Sequence, residues 1–301
     1  MNFWVMISAL MLNILTGWLF RPYTGWITRI HVSAARSLAA KKYKTSVMCG
    51  RIVAIAGLVL IWIAVDYTIM LLEYQSKIYS YIIYGLIVYF CTGCGQVAGI
   101  IRKFKGNTGN DSFIRQLLGY MLVPNAEKLD KNRFKKDFTN ASVRLIAERI
   151  IMPFIILMFF GAGAVTAYAF INHFAHSDSH DDVESHGYAL TAIKLNNFIS
   201  WLGYAVLSLL LWAIKWVFGM KFSFKNVKFR QRCTMQIAAL ANDEKLTDNY
   251  VKTLNATVYM CAVLLLLLLI SVYVFIQTAL AALGLDEYWD FWNGSNINNE
   301  Q

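Results

Sequence analysis

The stretch CAVLLLLLLISVYVFIQTALAAL, residues 261–283, carries no charged side chain and is apolar on every side of a helix. An α-helix needs about 20 consecutive apolar residues to cross the hydrocarbon core of a bilayer. The stretch reaches that length, so it predicts a transmembrane helix at the lipid-facing edge of a bundle. The whole chain agrees, because 57% of its 301 residues are hydrophobic and 15% are charged, which excludes an ordinary soluble domain.

Five further apolar runs precede this stretch. Together the runs predict six membrane spans, at about residues 2–20, 52–72, 79–101, 150–174, 197–218 and 256–283. The first run is the weakest, because it is short and contains Asn13, so a bundle of five spans is the alternative. The predicted fold is an all-α, polytopic membrane bundle that forms one domain over residues 1–301.

The basic residues between the apolar runs predict an orientation. Of the 28 Lys and Arg residues, 25 lie in the segments 21–51, 102–149 and 219–252. Cytoplasmic loops are enriched in Lys and Arg. We therefore expect a bacterial inner-membrane protein with these segments in the cytoplasm and both termini in the periplasm. Anionic lipid headgroups account for the net charge of +10. The expected partners are thus the bilayer, its headgroups and other proteins, and not nucleic acid.

The longest segment outside the predicted spans, 102–149, predicts a small cytoplasmic cap of two amphipathic helices. The first helix ends at Pro124, which cannot continue it. In the second, apolar residues recur at spacings of three and four, as on one face of a helix. They are Phe134, Phe138, Ala141 and Leu145.

The predicted outer loop, 175–195, and the residues just before it are rich in histidine and carboxylate side chains. The candidate metal ligands are His173, His176, His180, Asp181, Asp182 and His186. Such side chains bind Zn²⁺ and other transition metals, and histidine also changes charge near neutral pH. Their spacing matches no defined zinc motif. A solvated loop with at most an adventitious metal is therefore preferred, and no cofactor is expected.

Two polar or small-residue features lie within the predicted spans. Gly95 and Gly99 form a GxxxG pattern, which lets helix backbones approach closely. Packing within the chain is favoured over dimerisation, although both stay open.

Asp66, near the end of the second span, either faces the interior of the bundle or lies at the outer interface.

Several motifs follow one another from the third predicted span to the fifth. They are CTGCG at 91–95, NDS at 110–112, MLVPNAEKLD at 121–130, SVRLIAERIIMPFI at 142–155, AYAFIN at 167–172 and LNNFISWLGYAVLSLLLWAI at 195–214. In these motifs and their layout the chain resembles the AmpE branch of the CobD/CbiB superfamily of membrane proteins. AmpE-like proteins are associated with the regulation of β-lactamase induction, so the resemblance implies a signalling role.

The enzyme branch of that superfamily makes an amide bond in cobalamin assembly, and this chain resembles its fingerprint only in part. Glu148 stands in the first motif, followed by Arg149 where an Asn is expected. Asn172 stands in the second motif, and Asn196 and Asn197 occupy the places of two Asp residues. The missing carboxylates would hold a metal–phosphate or act as a base. The resemblance therefore implies a retained scaffold without amide synthesis.

The leading hypothesis is a non-catalytic, regulatory membrane protein of the AmpE type that acts through partner contacts. The alternative is a structural membrane subunit of an envelope assembly, such as a secretion or conjugation system. A residual CbiB-like enzyme would need Asp66, Glu148 and Asn196 in one site. The predicted orientation separates them, because it places Glu148 on the inner side and the other two toward the outer leaflet. A transporter is disfavoured, since the chain has no inverted repeat and few intramembrane charges.

Overall fold

The computed structural model describes residues 3–16, 47–103, 134–175, 186–217, 228–241 and 248–282, with a few isolated positions between 110 and 118. Every regular element in these ranges is a helix, as predicted. The helices are α1 (Phe3–Thr16), α2 (Val47–Gln75), α3 (Lys77–Cys91), α4 (Cys94–Lys103), α5 (Phe134–Ile146), α6 (Met152–Ala175), α7 (His186–Val217), α8 (Phe229–Ala241) and α9 (Asp248–Ala282). A π-helix, Ala147–Ile151, joins α5 to α6.

Four helical stretches are long and apolar enough to cross a membrane, which agrees with the predicted membrane character. They are Ala54–Gln75, Lys136–His173, Leu190–Ile214 and Val251–Ala279, of which the second consists of two helices joined at Gly161. The other two apolar helices are shorter, since α1 has 14 residues and α3 has 15. At 1.5 Å per residue each extends roughly 21–23 Å, less than the ~30 Å of a hydrocarbon core. The described helices therefore confirm four candidate spans and do not confirm six.

The predicted span 79–101 is interrupted between α3 and α4, and Asn13 of α1 bridges the interruption. The side-chain Nδ2 of Asn13 donates to the carbonyl oxygen of Tyr89 at 2.7 Å, and its Oδ1 accepts from the backbone N–H of Gly95 at 3.0 Å. Helix ends leave backbone groups without partners inside the helix. One fully buried side chain thus satisfies the end of α3 and the start of α4.

The predicted span 150–174 is interrupted at Gly161, where the chain reverses direction. Gly161 has φ 82° and ψ −170°, a conformation that glycine alone adopts readily. Asn172 contacts Glu148, which lies 24 residues earlier. In a continuous helix the two would be about 36 Å apart. Helix α6 is therefore a hairpin with a first arm, 152–160, and a second arm, 162–175. The prediction of one continuous span here is wrong.

The hairpin and α7 form the centre of the packed core. Helix α7 packs against α6 and α2, α8 lies against α7 and α5, and α9 contacts α4. Of the apolar face predicted for α5, Phe138, Ala141 and Leu145 are buried, but the polar residues Ser142 and Arg144 are buried as well, so the structure does not confirm an amphipathic helix with a solvated side. Most of the remaining predicted cap, from 104 to 133, lies outside the described residues. Helix α2 lies at the periphery, where most of its described side chains are exposed and the others, apart from the buried Ala54, are half-buried.

Candidate functional site

Glu148 lies in the π-helix at the base of the hairpin, with only 3% of its surface exposed. Three side chains donate hydrogen bonds to its carboxylate. Oε2 accepts from Nδ2 of Asn172 at 2.7 Å and from Nδ2 of Asn196 at 3.1 Å, and Oε1 accepts from the hydroxyl of Tyr204 at 2.8 Å. Asn172 also donates to Oδ1 of Asn196 at 3.1 Å. We call these four residues the Glu148 cluster.

Helical spacing brings the donors to one place. On α7, Asn196, Ser200 and Tyr204 follow one another at intervals of four residues, so they share the face that meets the hairpin. On the second arm of the hairpin, Tyr168 and Asn172 have the same spacing. The hydroxyls of Tyr168 and Ser200 lie 3.3 Å apart and form a buried hydrogen bond beside the cluster. Two helices therefore present matching polar stripes to each other.

Two glycines allow neighbouring backbones to reach the π-helix. A π-helix leaves a carbonyl group without its usual α-helical partner. The backbone N–H of Gly93 donates to the Arg149 carbonyl oxygen at 2.8 Å. On α7, a Cβ added at Gly203 would lie 2.8 Å from the carbonyl oxygen of Ala147. Glycine at these two positions therefore lets the α3–α4 junction and helix α7 lie directly against the π-helix that carries Glu148.

Positive charge balances the buried carboxylate. Arg144, one helical turn before Glu148, is itself buried and attracts the carboxylate electrostatically. From α8, the guanidinium of Arg230 lies 6.0 Å from the ring centroid of Tyr204. The Cys233 thiol donates to the Tyr204 carbonyl oxygen at 3.4 Å, and burial raises the pKa of this thiol to about 12. Helix α8 therefore contacts the Glu148 cluster through Tyr204.

Asp66 lies apart from the cluster, at the start of the second arm of the hairpin. Its Oδ1 accepts from the backbone N–H of Gly163 at 2.8 Å. The first N–H groups of a helix lack intrahelical partners and favour a negative charge, so Asp66 caps this arm. A Cβ at Gly163 would overlap the carbonyl oxygen of Trp62. Nine residues, or about 13 Å of helix, separate Gly163 from Asn172.

The structure brings into contact three of the four residues that the sequence analysis singled out by their resemblance to the superfamily motifs. Glu148, Asn172 and Asn196 are in direct contact, whereas Asn197 is exposed on α7. The predicted separation of Glu148 from Asn196 across the bilayer is therefore wrong. That prediction counts 150–174 as one crossing, whereas the hairpin returns the chain to the level of Glu148.

The candidate metal ligands fall mostly outside the described residues. This holds for His176, His180, Asp181 and Asp182, and for the side chain of His186, while His173 is buried in the second arm of the hairpin. Within the described ranges, no three His, Cys, Asp or Glu side chains form a group able to hold a metal ion.

The GxxxG residues lie in α4, which packs against α1 and α9. Gly95 is buried and Gly99 is partly buried. The preference for packing within the chain over dimerisation stays a prediction. A role for the pair in assembly stays a prediction.

Sequence reasoning missed Tyr168, Tyr204 and Arg144. The spacing in the sequence could have indicated each of them, because each lies four or eight residues from a motif position and so shares its helical face. The distance from Arg144 to Glu148 and from Tyr168 to Asn172 is one helical turn. Tyr204 lies two turns beyond Asn196.

The hydrogen-bond donors determine what the cluster can do chemically. A site with several carboxylates needs a cation or a proton to relieve their repulsion. Here two asparagine amides and a tyrosine hydroxyl donate to one carboxylate, and an arginine attracts it. Three of the roughly four lone-pair sites of this carboxylate therefore accept hydrogen bonds from within the chain.

Comparison with protein-family models, curated proteins and solved structures finds no match for this chain.

Proposed function

We propose that the chain is a non-catalytic, regulatory membrane protein of the AmpE type, in which the Glu148 cluster fixes the arrangement of the helices that contact partners. The observation that carries this proposal is the donation of three side-chain hydrogen bonds to Glu148. A buried carboxylate engaged in this way stabilises one packing arrangement, because losing a donor leaves a costly unsatisfied acceptor.

The same contacts argue against a residual amide synthase. The enzyme resemblance requires carboxylates that can hold a metal–phosphate or remove a proton. In this chain Asn172 and Asn196 occupy motif positions and act as donors to Glu148. A group that must accept a proton from a substrate needs a free lone pair within reach of it. The arrangement therefore favours a structural role for Glu148.

Discontinuous helices are a feature of transporters, whose exposed helix ends bind substrate and ions. Both interruptions in the described helices have partners from the chain itself. Asn13 satisfies the ends of α3 and α4, and Asp66 caps the second arm of the hairpin. Helix ends that are capped in this way support a rigid scaffold and weigh against a solute site.

A structural subunit of an envelope assembly is the second candidate function. Helix α2 supports it, because exposed aromatic and aliphatic residues line the helix from Ile52 to Tyr74. Such a helix offers a surface to lipid or to another membrane protein.

Gene deletion and complementation in the host test the proposal. We expect deletion to alter β-lactamase induction by a β-lactam, and the wild-type chain to restore it. The variant Glu148→Gln should also restore it whenever membrane levels match the wild type. A control is Glu73→Gln, which makes the same chemical change on an exposed residue of α2. Unchanged induction after deletion would rule out the regulatory role. Loss of complementation by well-folded Glu148→Gln would favour chemistry at the cluster.

A further inference from the structure

The two ends of the α6 hairpin lie at the same level. Asn172 of the second arm donates to Glu148 at the base of the first, and Gly161 reverses the chain between them. About 11 residues, or ~16 Å of helix, separate Gly161 from Asn172, which is roughly half of a ~30 Å hydrocarbon core. The hairpin is therefore long enough to reach the middle of a bilayer, and it returns to the level at which it began.

The tip of the hairpin is apolar and exposed. Phe159 and Phe160, directly before the reversal, are 70% and 57% exposed. The ring of Phe160 is in edge contact with that of Trp62 on α2, with centroids 6.2 Å apart. Exposed aromatic rings at a chain reversal favour acyl chains over water. Asp66 accepts from the N–H of Gly163, so the reversal has a partner for a backbone group that hydrocarbon could not satisfy.

Helices α5 and α8 are in direct contact, although the hairpin and α7 lie between them in the chain. The hydroxyl of Thr234 on α8 donates to Oδ1 of Asn140 on α5 at 3.1 Å. The neighbouring Cys233 donates to the Tyr204 carbonyl oxygen on α7. Atoms that touch lie at the same depth in a membrane. The chain from Asn140 to Thr234 thus starts and ends at one level.

A crossing by α7 would conflict with this contact. The hairpin contributes no crossing, so residues 218–228 would have to bring the chain back through the membrane. As a helix these residues would extend only ~16 Å, about half of what a crossing needs. In an extended form they would leave backbone groups unpaired in hydrocarbon. They also include Lys221, Lys225 and Lys228, which are costly there.

We propose that α6 is a re-entrant hairpin with its tip among the acyl chains, and that neither α6 nor α7 crosses the membrane. The segments 102–149, 175–195 and 219–252 then lie on one side. Two of them are basic, which assigns that side to the cytoplasm. Two of the four stretches long enough to span, Lys136–His173 and Leu190–Ile214, are accordingly not crossings.

This arrangement reverses the expected position of the histidine-rich segment. The candidate metal ligands between 176 and 182 face the cytoplasm and not the periplasm. A protein partner that contacts any of the three polar segments approaches from the cytoplasm. The proposal does not depend on the regulatory function.

Cysteine labelling with a membrane-impermeant maleimide tests the arrangement on the full chain, in spheroplasts before and after permeabilisation. Each variant adds one cysteine, and the labelling of the wild-type chain is subtracted. Ser179→Cys reports on the segment after the hairpin, and Gln231→Cys on an exposed position of α8. Both should be labelled only after permeabilisation. A chain in which 150–174 crosses would expose Ser179→Cys outside, and one in which only α7 crosses would expose Gln231→Cys.

Two controls mark the sides of the membrane. Gln75→Cys makes the same change as Gln231→Cys at the exposed end of α2. Helix α3 separates it from the hairpin base by roughly 22 Å, since Gly93, just beyond the other end of α3, bonds to the Arg149 carbonyl oxygen. Gln75→Cys should be labelled in intact spheroplasts, and Lys103→Cys, in the basic segment 102–149, only after permeabilisation. The proposal is overturned if Ser179→Cys or Gln231→Cys follows Gln75→Cys, or if Lys103→Cys is labelled from outside.

The same assay tests the position of the tip. Phe159→Cys should stay unlabelled before and after permeabilisation, because a thiol in hydrocarbon does not ionise to the reactive thiolate. The matched control is Phe275→Cys on the candidate span Val251–Ala279, where the side chain is 72% exposed, close to the 70% of Phe159. Labelling of Phe159→Cys in permeabilised spheroplasts, with Phe275→Cys unlabelled, would place the tip in water and contradict its insertion.

Discussion

The side-chain amide of Asn172 donates a 2.7 Å hydrogen bond to the carboxylate of Glu148, although 24 residues of mostly helical chain separate the two. This contact requires the reversal at Gly161, and it places the second arm of the hairpin against the π-helix. It also brings together two residues that the resemblance to the CobD/CbiB superfamily singles out. The folding of the hairpin and the formation of the Glu148 cluster are therefore coupled.

Substitution of Gly161 should destabilise the hairpin. Gly161→Ala forces a Cβ into a backbone conformation that costs roughly 1–3 kcal/mol for other residues. The control is Gly57→Ala in the middle of α2. Neither added Cβ would meet a heavy atom within 4 Å, so the two variants differ only in backbone conformation. Thermal unfolding in mild detergent should show a lower midpoint for Gly161→Ala. Gly57→Ala should be neutral or stabilising by up to about 1 kcal/mol. Equal midpoints would argue against the reversal.

The cap that Asp66 provides should depend on its oxygen atom more than on its charge. Asp66→Asn keeps an acceptor for the Gly163 N–H, whereas Asp66→Ala removes it. Loss of a helix cap typically costs about 1 kcal/mol. We expect Asp66→Ala to lower the unfolding midpoint clearly and Asp66→Asn to lower it less. If the two variants behave alike at both low and high salt, Asp66 does not act as the cap of this arm.

Asn13 should matter more than its position in a short N-terminal helix suggests. Asn13→Leu leaves the Tyr89 carbonyl and the Gly95 N–H without the partner that joins them, and each unsatisfied buried group costs about 1–3 kcal/mol. The control Asn197→Leu makes the same change at an exposed position. We expect a large loss of folded protein for Asn13→Leu only, measured by fluorescence-detected size exclusion. Similar yields for both variants would contradict the bridging role.

Glu148→Gln should destabilise the fold through its hydrogen bonds. Glutamine has nearly the same volume and its side-chain oxygen can still accept from the amides of Asn172 and Asn196, but its NH₂ group cannot accept from the Tyr204 hydroxyl, and the charge that attracts Arg144 is lost. We expect a loss of about 1–3 kcal/mol in the free energy of unfolding, against little change for Glu73→Gln. Chemical denaturation in detergent measures both, and an unchanged stability for Glu148→Gln would remove the cluster from its structural role.

The sequence predicts the membrane character and the helical class well, because both depend on the apolar content and length of continuous stretches of the chain. It also indicates three members of the Glu148 cluster through the superfamily motifs. It does not predict the two interruptions. The run FFGAGAV around Gly161 has the composition of a continuous span, and its reversal depends on Asp66, almost a hundred residues earlier. The interruption between α3 and α4 likewise depends on Asn13 of a different helix. Tertiary packing determines which residues form these long-range hydrogen bonds, and the periodicity of the sequence does not reveal them.

Disulfide cross-linking tests the hairpin most directly. Cysteines introduced as Glu148→Cys/Asn172→Cys should form an intramolecular disulfide under mild oxidation, identified by mass spectrometry of the linked peptides. The control pair Leu190→Cys/Ile214→Cys has the same separation of 24 residues within the uninterrupted helix α7, so its cysteines lie about 36 Å apart and should not link. A linked 148–172 pair with an unlinked 190–214 pair is the predicted result. Absence of the 148–172 disulfide in protein that elutes as a folded species would contradict the hairpin and the cluster built on it.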